Sequence, residues 1–123
     1  MSKDTSTIGA ISELRFVERC LSKGLFPFKP VVEHFPDYDF VVEIDETLFR
    51  VQVKTFRTRE VGGYTGLSCG NLGKYSGRKA YDYMAAVSLD LNRIWLLPVE
   101  YVADRHSVSL SIDKLDEWSK YEF

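Results

Sequence analysis

Apolar residues recur at three- and four-residue steps near the start of the chain. Ile11, Leu14, Val17 and Leu21 form one stripe, widened by Phe16 and Cys20. That spacing predicts an amphipathic helix from Ile8 to Lys23. Ser6 or Thr7 is its expected N-cap and Gly24 its stop. Pro27, Pro30 and Pro36 make residues 25 to 38 an extended connection, with room for a short edge strand at Val31–His34. The pattern then changes to strict alternation. Phe40–Ile44 reads as a strand, Asp45-Glu46-Thr47 as a turn and Leu48–Phe56 as a second strand. Phe49, Val51 and Val53 fall on one face of that strand, and Arg50, Gln52 and Lys54 on the other.

Arg57 to Ser76 is rich in Gly, Ser, Thr and Tyr and has no helical period, so a long loop is expected. Gly77–Met84 suggests a short helix. Ala85–Leu89 and Arg93–Leu97 form a strand pair around Asp90-Leu91-Asn92, ended by Pro98. Val108–Ile112 adds a strand, and Asp113–Trp118 a terminal helix capped by Asp113. Helix, strands and helix in this order predict a single α/β domain spanning 1–123, with a mixed central sheet flanked by helices.

Composition narrows the setting. The 123 residues are 45% hydrophobic, enough for one core. Apolar runs stop at four to six residues, as in Ile94–Leu97, against the roughly 18 that cross a bilayer. The N-terminal residues lack the regions of a signal peptide, so no membrane partner and a cytoplasmic protein are expected. Cys20 and Cys69 have no metal-ligand spacing; Cys20 is expected in the core and Cys69 exposed in the loop. His34 and His106 are isolated, and Trp95 and Trp118 read as packing residues. The net charge of −2 conceals a segregation. Arg50 to Lys79 holds seven basic residues against one acid, Glu60, a segmental charge of +6, and the other 93 residues carry −8.

On alternation alone, Arg50, Gln52 and Lys54 read as the solvent row of a surface hairpin. Three placements point to chemistry instead. Glu13 lies beside the helix stripe, Asp39 stands where two strands can diverge, and the basic segment follows Lys54 directly. Two carboxylates, an amide oxygen and an ammonium near a basic surface suit phosphodiester hydrolysis around a hard divalent cation, Mg²⁺ with Mn²⁺ as substitute. In that arrangement Asp39, Gln52 and Glu13 are the candidate metal ligands, and Lys54 stabilises negative charge.

Pro36-Asp37-Tyr38-Asp39-Phe40-Val41-Val42 followed by Phe49-Arg50-Val51-Gln52-Val53-Lys54-Thr55 resembles the PD-(D/E)XK nuclease core. More closely it resembles the group I intron-associated, homing-type branch, in which Gln replaces the acid two residues before the lysine. Gly9 and Glu13 match its first helix, Tyr81-Asp82 and Ala85–Leu89 its next strand, and Ile94-Trp95-Leu96-Leu97-Pro98 its aromatic strand, so the likeness runs from about residue 8 to 112. It implies Glu13, Asp39, Gln52 and Lys54 as the catalytic set. Asp37 competes with Asp39, which is preferred because it abuts the apolar strand.

The partner implied is double-stranded DNA, with Arg57, Arg59, Lys74, Arg78 and Lys79 on phosphates and Tyr64 and Tyr75 stacking or reaching the groove. Cutting both strands needs two active sites, which favours a homo-oligomer, dimer or tetramer. A site-specific homing-type endonuclease is the first expectation. A Holliday-junction resolvase-like or structure-selective nuclease comes second. A non-catalytic DNA-binding module on the same fold is the competing class, kept open by Gln52, and a plain structural or interaction domain is a third.

Overall fold

The computed structural model describes residues 4–31, 38–70, 72, 80–103 and 105–123. Its first element is helix α1, Thr5–Ser22. The cap is neither Ser6 nor Thr7. Asp4 accepts the Thr7 N–H at 2.7 Å, because an N-cap carboxylate bonds the orphan amide three residues on. Gly24 follows at φ +75°, the left-handed geometry that stops a helix.

The buried face of α1 is rotated from the expected stripe. Ser12, Phe16 and Cys20, at i, i+4 and i+8, are buried, while Leu14 is 68% and Leu21 53% exposed. Ser12 can be buried because its hydroxyl lies 2.6 Å from Thr55 Oγ1 on the strand beneath. A hydrogen-bonded polar group costs little to desolvate, so serine occupies a core position.

Five strands form the central sheet in the order β1-β2-β3-β6-β7: Pro27–Phe28, Phe40–Ile44, Thr47–Thr55, Tyr83–Ser88 and Arg93–Pro98. Only β3 and β6 run parallel, so the sheet is mixed. The edge strand is Pro27–Phe28 rather than Val31–His34: Val31 lies exposed in a bend, and 32–34 fall outside the described residues. Asp45 and Glu46 alone make the β2–β3 turn, since Thr47 already pairs with Ile44.

Arg57 to Cys69 is not a loop. Strands β4, Arg57–Val61, and β5, Tyr64–Cys69, form a hairpin, and β8, Val108–Ser111, pairs with β5 to complete a second, antiparallel sheet. The hairpin turns through Gly62 at φ +58° and Gly63 at φ +84°, values that only glycine adopts freely. Nor is there a helix over Ala80–Met84, the described part of the expected helix at Gly77–Met84. Tyr83 already pairs with Val51, because an inner strand needs both neighbours bonded. After β7 comes one short helix, α2, Val99–Val102. The chain ends in a 3-10 helix, Ile112–Tyr121, whose N-cap is Ser111 and not Asp113.

Two hydrophobic clusters line the two faces of the central sheet. Under α1 lie Phe16, Cys20, Phe40, Val42, Val51, Val53, Ala85, Val87 and Ile94. Opposite, Met84, Ala86, Trp95 and Leu97 meet Leu67 and Val108 of the second sheet and Leu115 and Trp118 of the terminal helix. Trp118 makes edge-on contacts with Phe56, Trp95 and Tyr101, the rings 5.5 to 6.2 Å apart. Phe56, buried with its N–H donated to Val87 O, is the single residue between β3 and β4. There the chain leaves one sheet for the other. No helix among the described residues is long and apolar enough to cross a membrane.

Candidate active site

Strand β2 is shorter than β3. Its register runs from Ile44 paired with Thr47 to Phe40 paired with Val51. One rung further, the Asp39 N–H donates to Val51 O at 2.9 Å. The next donor on β3, the Val53 N–H, has no strand carbonyl to meet, and Asp39 Oδ2 accepts it at 2.8 Å. The carboxylate is therefore held by the backbone of the residue between Gln52 and Lys54. Past this point no described strand pairs with this edge of β3.

A cleft of about 500 Å³ lies at this point. Asp39, Gln52, Lys54 and Thr55 form its floor. Thr5, Ile8, Gly9 and Glu13 of α1 make one wall; Arg57, Arg59, Ser68 and Cys69 of the second sheet make the other. Glu13, Asp39, Gln52 and Lys54 thus meet on one cleft, as do Arg57 and Arg59. Tyr64, at the hairpin tip, is 72% exposed and lies outside the cleft lining. Lys74, Tyr75, Arg78 and Lys79, like Asp37 and His34, fall outside the described residues.

Gln52 is not in a solvent row. It is only 7% exposed, and among the described residues no hydrogen bond ties its side-chain amide. Burial raises the Asp39 carboxyl above its usual range; the nearby Glu13 pushes the same way, while the Val53 N–H, Lys54 and Lys29 pull it down. Glu13 is itself paired with Lys29 at 3.0 Å. Lys29 also sits over the Phe40 ring, 5.6 Å from its centroid.

The donor set can be tested against a metal. Among the described residues no three His, Cys, Asp or Glu side chains converge as a cage. Two carboxylates and an amide oxygen are all hard donors, and too few to enclose an ion. That composition suits Mg²⁺, which binds through one or two carboxylates, keeps several waters and takes oxygens from a phosphate ligand. The cleft lining holds no imidazole, and its one thiol is disfavoured from ionising. Burial pushes the Cys69 thiol up, with Lys54 opposing. Cys69 lies half-buried on β5 rather than exposed in a loop, because Leu67 beside it anchors the strand in the core.

Sequence reasoning missed Lys29, Thr55, Ser68 and Asp90. Asp90 accepts both the Thr58 N–H at 3.1 Å and the Thr58 hydroxyl at 2.9 Å, tying β4 to the β6–β7 turn. The Gly62-Gly63 pair between alternating segments was the available signal for the hairpin that carries the second wall. Nothing local in the sequence signals the Lys29–Glu13 or Asp90–Thr58 contacts.

The comparisons bear on the family and the fold. A family model described as PD-(D/E)XK endonuclease matches residues 3–119. Among solved structures, the chain is similar to a bacterial homing endonuclease, I-Ssp6803I, with a TM-score of 0.70 and 22% sequence identity over 89% of this chain and 76% of that one. At that identity the likeness speaks to the fold. No functionally curated sequence matches.

Proposed function

Because this chain belongs to the PD-(D/E)XK endonuclease family, we propose that it is a Mg²⁺-dependent endonuclease that hydrolyses phosphodiester bonds of double-stranded DNA in the cleft at the edge of β3 beside Asp39. The observation that carries the reading is the meeting there of Asp39, Glu13, the buried Gln52 amide and Lys54, with Arg57 and Arg59 across the gap. Asp39, Gln52 and Glu13 are the residues to hold the ion. When bound, it polarises the scissile phosphate and eases ionisation of the attacking water.

The chain's own groups do the rest. Asp39 is kept in place by the Val53 N–H, so its carboxylate need not be ordered on binding. Lys54 offers an ammonium to negative charge on the nucleophile and on the oxygens of the phosphorane-like transition state, in a site partly closed to water. Arg57 and Arg59 hold the DNA backbone by charge, without reading sequence. Tyr64 lies further out along the same hairpin, where it can meet the groove.

The neutral Gln52 lowers the charge of the donor set, and DNA phosphate makes up the deficit, so metal and substrate bind together. Residues 1–123 act as one catalytic domain, in the cytoplasm. Copies of the domain associate, as a dimer or a tetramer, to cut both strands of a duplex. A homing-type, site-specific enzyme is the finer reading, supported by Gln-x-Lys and by the shared fold with I-Ssp6803I.

The test is incubation of purified protein with supercoiled plasmid and Mg²⁺. Nicking or linearisation is expected, and is lost in Asp39→Ala and Lys54→Ala. A gel shift with no cleavage would instead assign a non-catalytic DNA-binding module.

A further inference from the structure

Gly9 is the fifth residue of α1, an interior position at which glycine is the weakest helix former after proline. Two ordinary reasons for glycine are absent. Its φ is not among the positive values that glycine adopts in this chain. A Cβ built on it would also meet no atom within 4 Å beyond its chain neighbours and its own turns of helix backbone, so no packed neighbour needs the space. Within the protein, alanine would serve better.

Gly9 is also one of the residues that line the cleft beside Asp39. Thr5, Gly9 and Glu13, four residues apart, share one face of α1 and all line it. The face therefore runs from a short side chain, through bare backbone, to a carboxylate. Across the gap stand Arg57 and Arg59, a wall suited to a polyanion.

We propose that the sugar-phosphate backbone of the strand being cut passes between Gly9 and β4 in direct contact with α1, so that Gly9 is a substrate-positioning residue and the first helix is part of the DNA-binding surface. The inference rests on the nuclease reading above. A side chain at position 9 pushes the strand away from Asp39 and Lys54, and a displacement of about 1 Å at such a site can cost about a hundredfold in rate.

The prediction has opposite signs for stability and activity. Gly9→Ala raises Tm by about 2–5 °C and lowers kcat/KM on plasmid or cognate duplex by about tenfold, and Gly9→Leu lowers it by about a hundredfold. Ala10→Leu, which adds bulk on an exposed part of α1 outside the cleft lining, cleaves as the parent does. Circular dichroism confirms that each variant is folded, and Gly9→Ala carries the test alone if the leucine variant fails to fold.

Cleavage by Gly9→Ala within twofold of the parent overturns the inference and leaves the nuclease reading intact. A lower Tm for Gly9→Ala also overturns it, since the glycine then serves the fold. A parent protein that neither cuts nor binds DNA in Mg²⁺ removes both together.

Discussion

The backbone N–H of Val53 and the carboxylate of Asp39 are bonded at 2.8 Å, across the point where β2 ends and β3 continues. A side-chain oxygen takes over a ladder position that a strand carbonyl would otherwise fill. The same bond satisfies an edge amide and places the acid between Gln52 and Lys54. Fold and chemistry therefore meet in one hydrogen bond, and substitutions of Asp39 separate them.

In Asp39→Asn the side-chain carbonyl still accepts the Val53 N–H, but the negative charge is gone. Burial holds the Asp39 carboxyl above its ordinary value of 3.8 in the folded chain. A raised acid is ionised less readily folded than unfolded, so its ionisation opposes folding once the pH exceeds the carboxylate range. Asp39→Asn is thus expected to melt about 2 °C higher than the parent at pH 7, with the difference vanishing below about pH 4. Its cleavage is expected to fall by about a thousandfold. Calorimetry across pH, alongside plasmid nicking, reads both; a lower melting point at pH 7 would contradict a net cost of the buried charge.

Gln52→Glu adds a carboxylate to a buried position beside Asp39 and Glu13. Without metal the like charges repel, and Tm is expected to drop by several degrees. With Mg²⁺ or Mn²⁺ the third carboxylate becomes a ligand, and the drop is recovered through binding to the folded state. Isothermal titration without DNA should show affinity at least about tenfold tighter than the parent's. In the parent, affinity should rise when DNA is present. Equal parent affinities with and without DNA would count against phosphate completing the site.

The two arginines of β4 are assigned to phosphates, so each should contribute to salt dependence. Replacing Arg57 or Arg59 by Ala is expected to lower the slope of log affinity against log salt by about 0.9 for each phosphate left without its cation. Asp90→Ala is a useful contrast. It removes both bonds to Thr58 and loosens the hairpin without deleting a cation, so affinity should fall while the slope stays. Gel-shift titrations at several salt concentrations separate an arginine that touches phosphate from a residue that positions the arginines.

The legible parts of this chain are those where burial and periodicity coincide. Strand β2 is legible to the residue because Phe40–Ile44 is bounded by turn chemistry, and β3 within one residue. Asp39 is legible from its place before an apolar strand. The helix is legible but its orientation is not, since hydropathy alone buries leucine and exposes serine; the Ser12–Thr55 hydrogen bond reverses both. Strands β4 and β5 escape a reading by pattern because Arg57, Thr58, Arg59 and Glu60 lack the apolar alternation of a half-buried strand. Only Leu67 of β5 is fully buried there. The terminal helix is legible as helix, but its tighter 3-10 winding follows from Leu115, Trp118 and Tyr121 at three-residue spacing.

The β2–β3 turn offers a change that leaves the cleft alone. Asp45 and Glu46 sit at φ +50° and +67°, a two-residue turn with both residues in the left-handed region. Aspartate tolerates that geometry; glutamate has no such compensation and costs about 1–2 kcal/mol there. Glycine removes the clash but gives back about 0.5–1 kcal/mol in the entropy of the unfolded chain. Glu46→Gly should therefore stabilise the fold by about 0.5–1 kcal/mol, seen as a Tm higher by about 2–5 °C. Gly62→Ala, at φ +58° in the second hairpin, runs the exchange in reverse and should lower Tm. The two turns differ in what they support. Asp45 and Glu46 line a groove with Phe26 and Phe28, away from Asp39, whereas Gly62 ends the strand that carries Arg57 and Arg59. Glu46→Gly should keep full cleavage, and Gly62→Ala should weaken DNA binding as well as stability. Melting curves and gel shifts on the two variants check this, and a Glu46→Gly variant that melts lower would show that the left-handed turn carries no strain.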